Sequence, residues 1–134
     1  MNNSIDSMLD MYLFETNTLL EQLEELFIGA EMEKTLSSSN IDEIFRIMHT
    51  IKGSSAMMEF TYLMEIAHRI EDLFFYIREN GMENMSEAYV SELFDILFQS
   101  MDYFKSEVDK IQKGEPLSDN IDNFVTNINM FLDK

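Results

Sequence analysis

Apolar residues recur along this chain at intervals of three and four, a spacing that places their side chains on one face of an α-helix. The pattern runs through five segments, at about residues 4–28, 40–56, 61–80, 86–113 and 118–132. No segment shows the strict alternation of a half-buried strand. The pattern therefore predicts an all-α fold, an up-down antiparallel four-helix bundle followed by a short fifth helix at the C-terminus.

Residues typical of helix ends divide the five segments. Serine is a common N-cap, and glycine often follows the last turn of a helix. We therefore predict N-caps at Ser4 and Ser118, a capping box formed by Ser39 and Asp42, and helix ends at Gly29, Gly81 and Gly114.

The composition favours one folded domain spanning residues 1–134. Apolar residues make up 46% of the chain, and one proline and four glycines are too few turn residues for a many-stranded fold. Most of the 12 methionines and 11 phenylalanines fall at core spacing, so we expect them in the core rather than in a Met-rich binding groove. The absence of cysteine excludes disulfides and thiolate metal sites.

The net charge of −17 narrows the possible partners. Nucleic acid and anionic membrane surfaces would repel such a chain. No apolar run approaches the length of a membrane span, and no basic-then-apolar leader opens the sequence, so we expect a soluble, cytoplasmic protein. Of the nine cations, Arg46, Lys52 and Arg69 are expected near the candidate site described next.

That candidate site centres on His49, in the second helical segment. Lys52 and Gly53 follow at spacings of three and four, so all three residues share one helix face. Glycine inside a helix costs about 1 kcal/mol relative to alanine, so its presence needs a reason. One such reason is that something large must reach the imidazole. A histidine with a cation and cleared space beside it is a candidate phosphoryl acceptor.

Helix geometry connects His49 to the third helix. At about 100° per residue, His49 lies about 110° from the centre of its buried face, with Lys52 and Arg46 about 60° to either side. Glu71 lies at the matching rim of the third helix, and His68 is about 60° beyond it. If the two helices pack antiparallel, a carboxylate meets the imidazole. It would fix the tautomer and leave the other ring nitrogen nucleophilic, with an ammonium nearby to stabilise phosphoryl charge.

At these residues the chain resembles a histidine phosphotransfer domain, specifically the N-terminal one of CheA-type chemotaxis kinases. The motif on the second helix is His49-Thr50-Ile51-Lys52-Gly53, preceded by Arg46. His68-Arg69-Ile70-Glu71 matches the family's His-x-x-Glu on the third helix. The detailed likeness covers roughly the first 80 residues, and beyond them it depends on helix count.

The resemblance implies a role for each motif residue. His49 would be phosphorylated, and Glu71 would orient its imidazole. Lys52 and His68 would surround the phosphoryl group and tune its reactivity. Arg46 would support the site, and Gly53 would leave room for a docking partner.

The resemblance also implies the partners. The phosphoryl group would come from ATP through a histidine kinase catalytic domain, in cis or in trans, and pass to an aspartate of a CheY-like response regulator receiver domain. Those partner domains would bind ATP and magnesium. This chain has no Walker-type or Gly-rich nucleotide loop, so we expect a carrier and not an enzyme by itself. We also expect the domain to be monomeric and to hold no cofactor or metal. We expect it to be part of a longer CheA-like kinase, although a stand-alone protein is an alternative.

One position departs from the family pattern. Many relatives carry glycine where this chain has Glu59, in the turn between the second and third helices, and Met57 and Met58 replace smaller or different residues. A backbone position suited to positive φ is less comfortable for glutamate.

Two other functions remain open from the residues alone. Glu65-Ile66-Ala67-His68 has the Glu-x-x-His spacing of carboxylate-bridged metal bundles, but it has no second copy, and Glu65 is predicted to point away from the core. A helical protein-interaction module with a non-functional site is the other alternative.

Overall fold

The computed structural model describes residues 3–118 and 120–133, and it confirms the all-α fold. Five helices follow one another: α1 (Asn3–Glu33), α2 (Ser38–Met57), α3 (Thr61–Asn80), α4 (Glu87–Lys113) and α5 (Asp122–Leu132). α1 packs on α2 and α4, α2 packs most extensively on α3, and α5 lies against α3 and α4. No described helix is long and apolar enough to cross a membrane.

One hydrophobic core runs between the helices. Its largest fully buried side chains are Phe27, Phe74, Phe104, Phe124, Phe131, Leu23, Ile44, Met48, Ile51, Leu63, Ile66 and Ile70. The expectation that methionine mostly fills the core is wrong, because Met48 and Met101 are the only described methionines that are buried. Met58, Met82 and Met85 are partly buried against the core, whereas Met8, Met11, Met32, Met57 and Met130 are exposed.

The end of α1 differs from the prediction. The helix does not end at Gly29 but continues to Glu33, which allows Ala30 to be buried. The left-handed residue that ends it is Lys34, with φ 60°. The N–H of Thr35 bonds to the Ala30 carbonyl, and the N–H of Lys34 to the Glu31 carbonyl, the two bonds of a Schellman motif. At the other end, Ser4 lies within the helix and is not its N-cap.

Two predicted caps lie at other residues. The capping box of α2 is formed by Ser37 and Asn40, not by Ser39 and Asp42. The Ser37 hydroxyl accepts the Asn40 N–H at 3.0 Å, and the Asn40 side-chain oxygen accepts the Ser37 N–H at 3.3 Å. This reciprocal pair starts the helix at Ser38.

Ser118 does not cap α5, because its polar groups bind two residues of α4. Its hydroxyl accepts a hydrogen bond from the Lys110 ammonium at 2.8 Å, and its N–H lies 3.2 Å from the buried Glu107 carboxylate. α5 therefore begins later, at Asp122, and Ile121 at its N-cap position makes no side-chain capping bond.

The turn between α2 and α3 is a second Schellman motif, and Glu59 holds its left-handed position at φ 63°. The N–H of Phe60 bonds to the Ser55 carbonyl at 2.9 Å, and that of Glu59 to the Ala56 carbonyl at 3.1 Å. Gly114 occupies the same position after α4, at φ 69°, with the same pair of bonds. Glutamate therefore occupies a site where glycine is ordinarily favoured.

We expect Glu59→Gly to raise the free energy of unfolding by about 0.5–1 kcal/mol. The left-handed conformation costs a residue with a Cβ about 1–2 kcal/mol, and the greater chain entropy of unfolded glycine offsets part of the gain. Equilibrium unfolding in urea measures the change. Gly114→Ala is the reciprocal control and should lower stability by about 1 kcal/mol. A Glu59→Gly variant less stable than the parent chain would show that the turn carries no strain.

Candidate functional site

The antiparallel α2–α3 pair holds the candidate site. Contacts at both ends fix the alignment of the two helices. At one end the Glu59 turn joins them. At the other, the Arg78 guanidinium lies 3.0 Å from the Asp42 carboxylate and 4.5 Å from the centre of the Phe45 ring. His49 and Glu71 lie between these two ends.

His49 presents its ring to solvent while one nitrogen is held. Its side chain is 68% exposed, and its Nδ1 lies 2.7 Å from Oε2 of Glu71. An ionised carboxylate only accepts hydrogen bonds, so Nδ1 carries the hydrogen and donates it. In the neutral ring, Nε2 is then unprotonated and available as a nucleophile. The contact expected from the helix wheel is thus present, and the roles of the two residues remain predictions.

Glu71 binds a second donor. The Lys52 ammonium lies 2.5 Å from Oε1, so each carboxylate oxygen has its own partner. The Glu71 side chain is only 9% exposed and that of Lys52 28%. Burial raises the pKa of Glu71, but the hydrogen bonds and positive charges of Lys52 and His49 outweigh burial and leave the pKa below its ordinary value. Glu71 is therefore an ionised carboxylate at neutral pH.

This lowered pKa predicts an acid-dependent contribution to stability. A carboxyl group whose pKa is lower in the folded than in the unfolded chain stabilises the fold fully above the unfolded pKa, and the contribution is lost as pH falls through the folded pKa. We expect the wild-type chain to be more stable than Glu71→Gln at pH 7, with the difference shrinking below about pH 4.3, the ordinary value for Glu. Urea unfolding of both chains between pH 7 and 3 measures it.

The control for this titration is Asp72→Asn. Asp72 is the next residue on α3, but its side chain is 66% exposed and its partner His68 is exposed too. Exposed pairs contribute little to stability, so this variant should follow the wild-type chain over the whole range. A Glu71→Gln difference that stays constant down to pH 3 would contradict the ionised pairing.

Gly53 leaves open space beside His49. A Cβ added there would meet nothing within 4 Å, and the residue is exposed. Gly53 is therefore not a close helix-packing contact. It lies one turn beyond His49 on the same outward ridge, and because it has no side chain it leaves the approach to the imidazole unobstructed.

The other predicted site residues make no hydrogen bond or ion pair, within the described part of the chain, to His49, Lys52 or Glu71. His68 is exposed on α3, and its Nε2 lies 3.4 Å from the Asp72 carboxylate. In the described part of the chain it makes no hydrogen bond to His49. Arg46 is exposed one turn before His49. Arg69 is exposed and lies about 200° around α3 from Glu71, so helix geometry directs it away from the site.

Helix periodicity alone missed one polar contact that positions α2. The Tyr12 hydroxyl and the Ser55 hydroxyl lie 2.8 Å apart in the buried α1–α2 interface. The ring of Tyr12 also packs edge-on against Phe60 of the turn. The signal in the sequence was a serine at a core position of the second helix, because a buried hydroxyl requires a partner.

The metal-site alternative depends on Glu65 and His68 of α3. Glu65 is exposed, as the helix wheel predicted. Over the described residues, no group of three or more His, Asp or Glu side chains is arranged to hold a metal ion.

Known proteins that match this chain belong to the same family that the His49 motif resembles. The sequence profile of the Hpt domain family matches residues 7–113. The chain is 32% identical to the chemotaxis protein CheA of Borreliella burgdorferi over 127 residues, which is 95% of this chain and 14% of that protein. It is 27% identical to CheA of Treponema pallidum over 95% of this chain and 15% of that protein. It is 32% identical to CheA of Bacillus subtilis over 79% of this chain and 15% of that protein.

These matches confirm the predicted resemblance to CheA-type proteins. The chain spans about a seventh of the length of the relatives it matches. The profile match covers His49, Lys52, Gly53 and Glu71, together with α1 from residue 7 onward and the whole of α2, α3 and α4. The chain belongs to the Hpt domain family.

Proposed function

We propose that this chain is a phosphohistidine carrier in chemotaxis-type two-component signalling. His49 accepts a phosphoryl group from ATP, bound with magnesium in a histidine kinase catalytic domain, and passes it to an aspartate of a CheY-like receiver domain. The observation that carries this proposal is an exposed imidazole whose Nδ1 is held by a buried carboxylate while Nε2 is left open. Since ATP and the proposed partners act in the cytoplasm, the proposal places the chain there.

The geometry supports a simple transfer. The Nε2 lone pair forms a bond to the γ-phosphorus as the bond to the β,γ-bridging oxygen breaks, and ADP leaves with that electron pair. The imidazole ring becomes positively charged and retains its Nδ1 hydrogen, which the Glu71 carboxylate stabilises. A receiver aspartate then attacks the phosphorus, and the N–P electron pair returns to Nε2.

The chain contributes presentation rather than nucleotide chemistry. Glu71 fixes the tautomer before reaction and gains interaction energy as the ring becomes positive, so it stabilises the transition state more than the ground state. Lys52 keeps Glu71 ionised despite its burial. The open surface at Gly53 allows two different domains to approach the same nitrogen in turn.

The test is a two-step transfer with purified components. The chain is incubated with a CheA-type kinase domain, magnesium and labelled ATP, separated from them, and mixed with a CheY-like receiver. The proposal predicts a label on the chain that is labile in acid and stable in base, as a phosphoramidate is, and that moves to the receiver. A chain that takes no label, or takes one that the receiver cannot remove, would favour an interaction module with a non-functional site.

A further inference from the structure

The ammonium of Lys52 is already engaged by the fold. It lies 2.5 Å from Oε1 of Glu71, and the carboxylate that holds it is buried. Moving Lys52 onto a phosphoryl group would leave Glu71 with one partner in a buried position, which is costly for an ionised carboxylate. The residue expected to neutralise the phosphoryl group is therefore committed to another charge.

The reacting nitrogen faces away from this pair. Nδ1 of His49 is directed at Glu71, and Nε2 lies on the opposite side of the ring. Lys52 lies on the side of His49 nearer the buried face of α2, as its 28% exposure shows. A phosphoryl group on Nε2 therefore extends away from both Glu71 and Lys52, toward solvent.

Arg46 lies on that solvent side. It is three residues before His49, so the two Cβ atoms are about 5–6 Å apart along the outward ridge of α2. The side chain is exposed and forms no ion pair with any described residue. Asp42, one turn earlier, binds Arg78 instead. Arg46 is thus an uncommitted cation about one helical turn from His49, in a chain of net charge −17.

We propose that Arg46 is the residue that binds the phosphoryl group on His49, and that Lys52 is a positioning residue acting through Glu71. This inference rests on the proposed function and assigns the charges within the same site. A guanidinium suits the task because two of its N–H groups bind two phosphoryl oxygens at once. Arg46 would balance the charge on the transferring oxygens, while Glu71 balances the charge on the ring.

The test is a phosphorus NMR titration of the phosphorylated full chain, free of its partners. An adjacent guanidinium lowers the pKa of the phosphoryl group, so Arg46→Gln should raise that pKa by about 0.5 or more, as expected for unit charges a few ångströms apart in water. Arg46→Lys should restore part of the effect. Because no partner is present, an arginine that only helped docking would not change this pKa.

Two variants complete the experiment. Arg69→Gln removes another exposed arginine from the far flank of α3 and should leave the phosphoryl pKa unchanged. Lys52→Gln should change it less than Arg46→Gln. If Arg46→Gln matches the wild-type titration, or Lys52→Gln changes it more, the inference is wrong while the proposed function stands. If the wild-type chain takes no phosphate, the proposed function fails and the inference falls with it.

Discussion

Replacing His49 by glutamine is expected to abolish phosphorylation of the chain without unfolding it. Glutamine has no nucleophilic ring nitrogen, so the phosphoryl group has no acceptor at this position. The side chain of His49 is 68% exposed, and changes at exposed positions usually alter stability by no more than about 0.5 kcal/mol. The glutamine amide can also donate to Glu71 in place of Nδ1. Labelling by a kinase domain and ATP should fall to background while the unfolding midpoint in urea stays near that of the parent.

His68→Gln is the matched control, because the chain contains only these two histidines. Its side chain is exposed and pairs with Asp72 rather than with Glu71. This variant should still take up label, with at most a changed rate. Label that persists in His49→Gln and disappears in His68→Gln would move the phosphorylated residue to α3 and contradict the proposed site.

Glu71→Ala is expected to slow phosphorylation by about 100-fold, the size typical of losing one stabilising or proton-holding partner. Without the carboxylate, the imidazole populates both tautomers and rotates freely, and the positive charge that develops on the ring has no counter-charge. Lys52 loses its partner too, but at 28% exposure its ammonium can reach water. Single-turnover labelling with saturating kinase domain measures the rate of the chemical step.

A control on the same helix separates this effect from the general loss of a negative charge. Glu65 is exposed on α3, more than one turn from Glu71. Glu65→Ala makes the same change in net charge and should alter the rate less than about twofold, since distant surface charges are screened. Equal rates for Glu71→Ala and the wild-type chain would mean that the hydrogen bond at Nδ1 has no part in the transfer.

The approximate position of the site could be predicted because it depends on helix period and on the antiparallel direction of two neighbouring helices. His49 and Glu71 occupy matching rims of two helices joined by a short turn, so period and direction were enough to bring them near one another. The partner of Lys52 could not be predicted. A helix wheel gives the angle of a side chain around the helix but not the depth at which it lies. Whether the Lys52 ammonium binds Glu71 or water depends on how deeply that carboxylate is buried. Arg69 is a different case, because the 200° that separates it from Glu71 follows from the helix wheel itself.

Helix ends were less predictable than helices. Gly29 was predicted to end α1, but the helix continues past it because Ala30 is buried, and Lys34 takes the left-handed position instead. Ser118 looked like a cap, yet the buried Glu107 on α4 binds its N–H. In both cases a tertiary contact outweighs a local preference of modest size. At Glu59 the resemblance identified the exception, and the structure places glutamate at φ 63°.

The most direct test of the central claim is to find which ring atom carries the phosphoryl group. The chain is labelled with heavy nitrogen and phosphorylated, and NMR is used to measure the coupling between phosphorus and each ring nitrogen of His49. Since Nδ1 donates its hydrogen to Glu71, phosphorus should couple directly to Nε2, and the Nδ1 hydrogen should remain in place. Direct coupling of phosphorus to Nδ1, or a phosphoryl group on any other residue, would contradict the account.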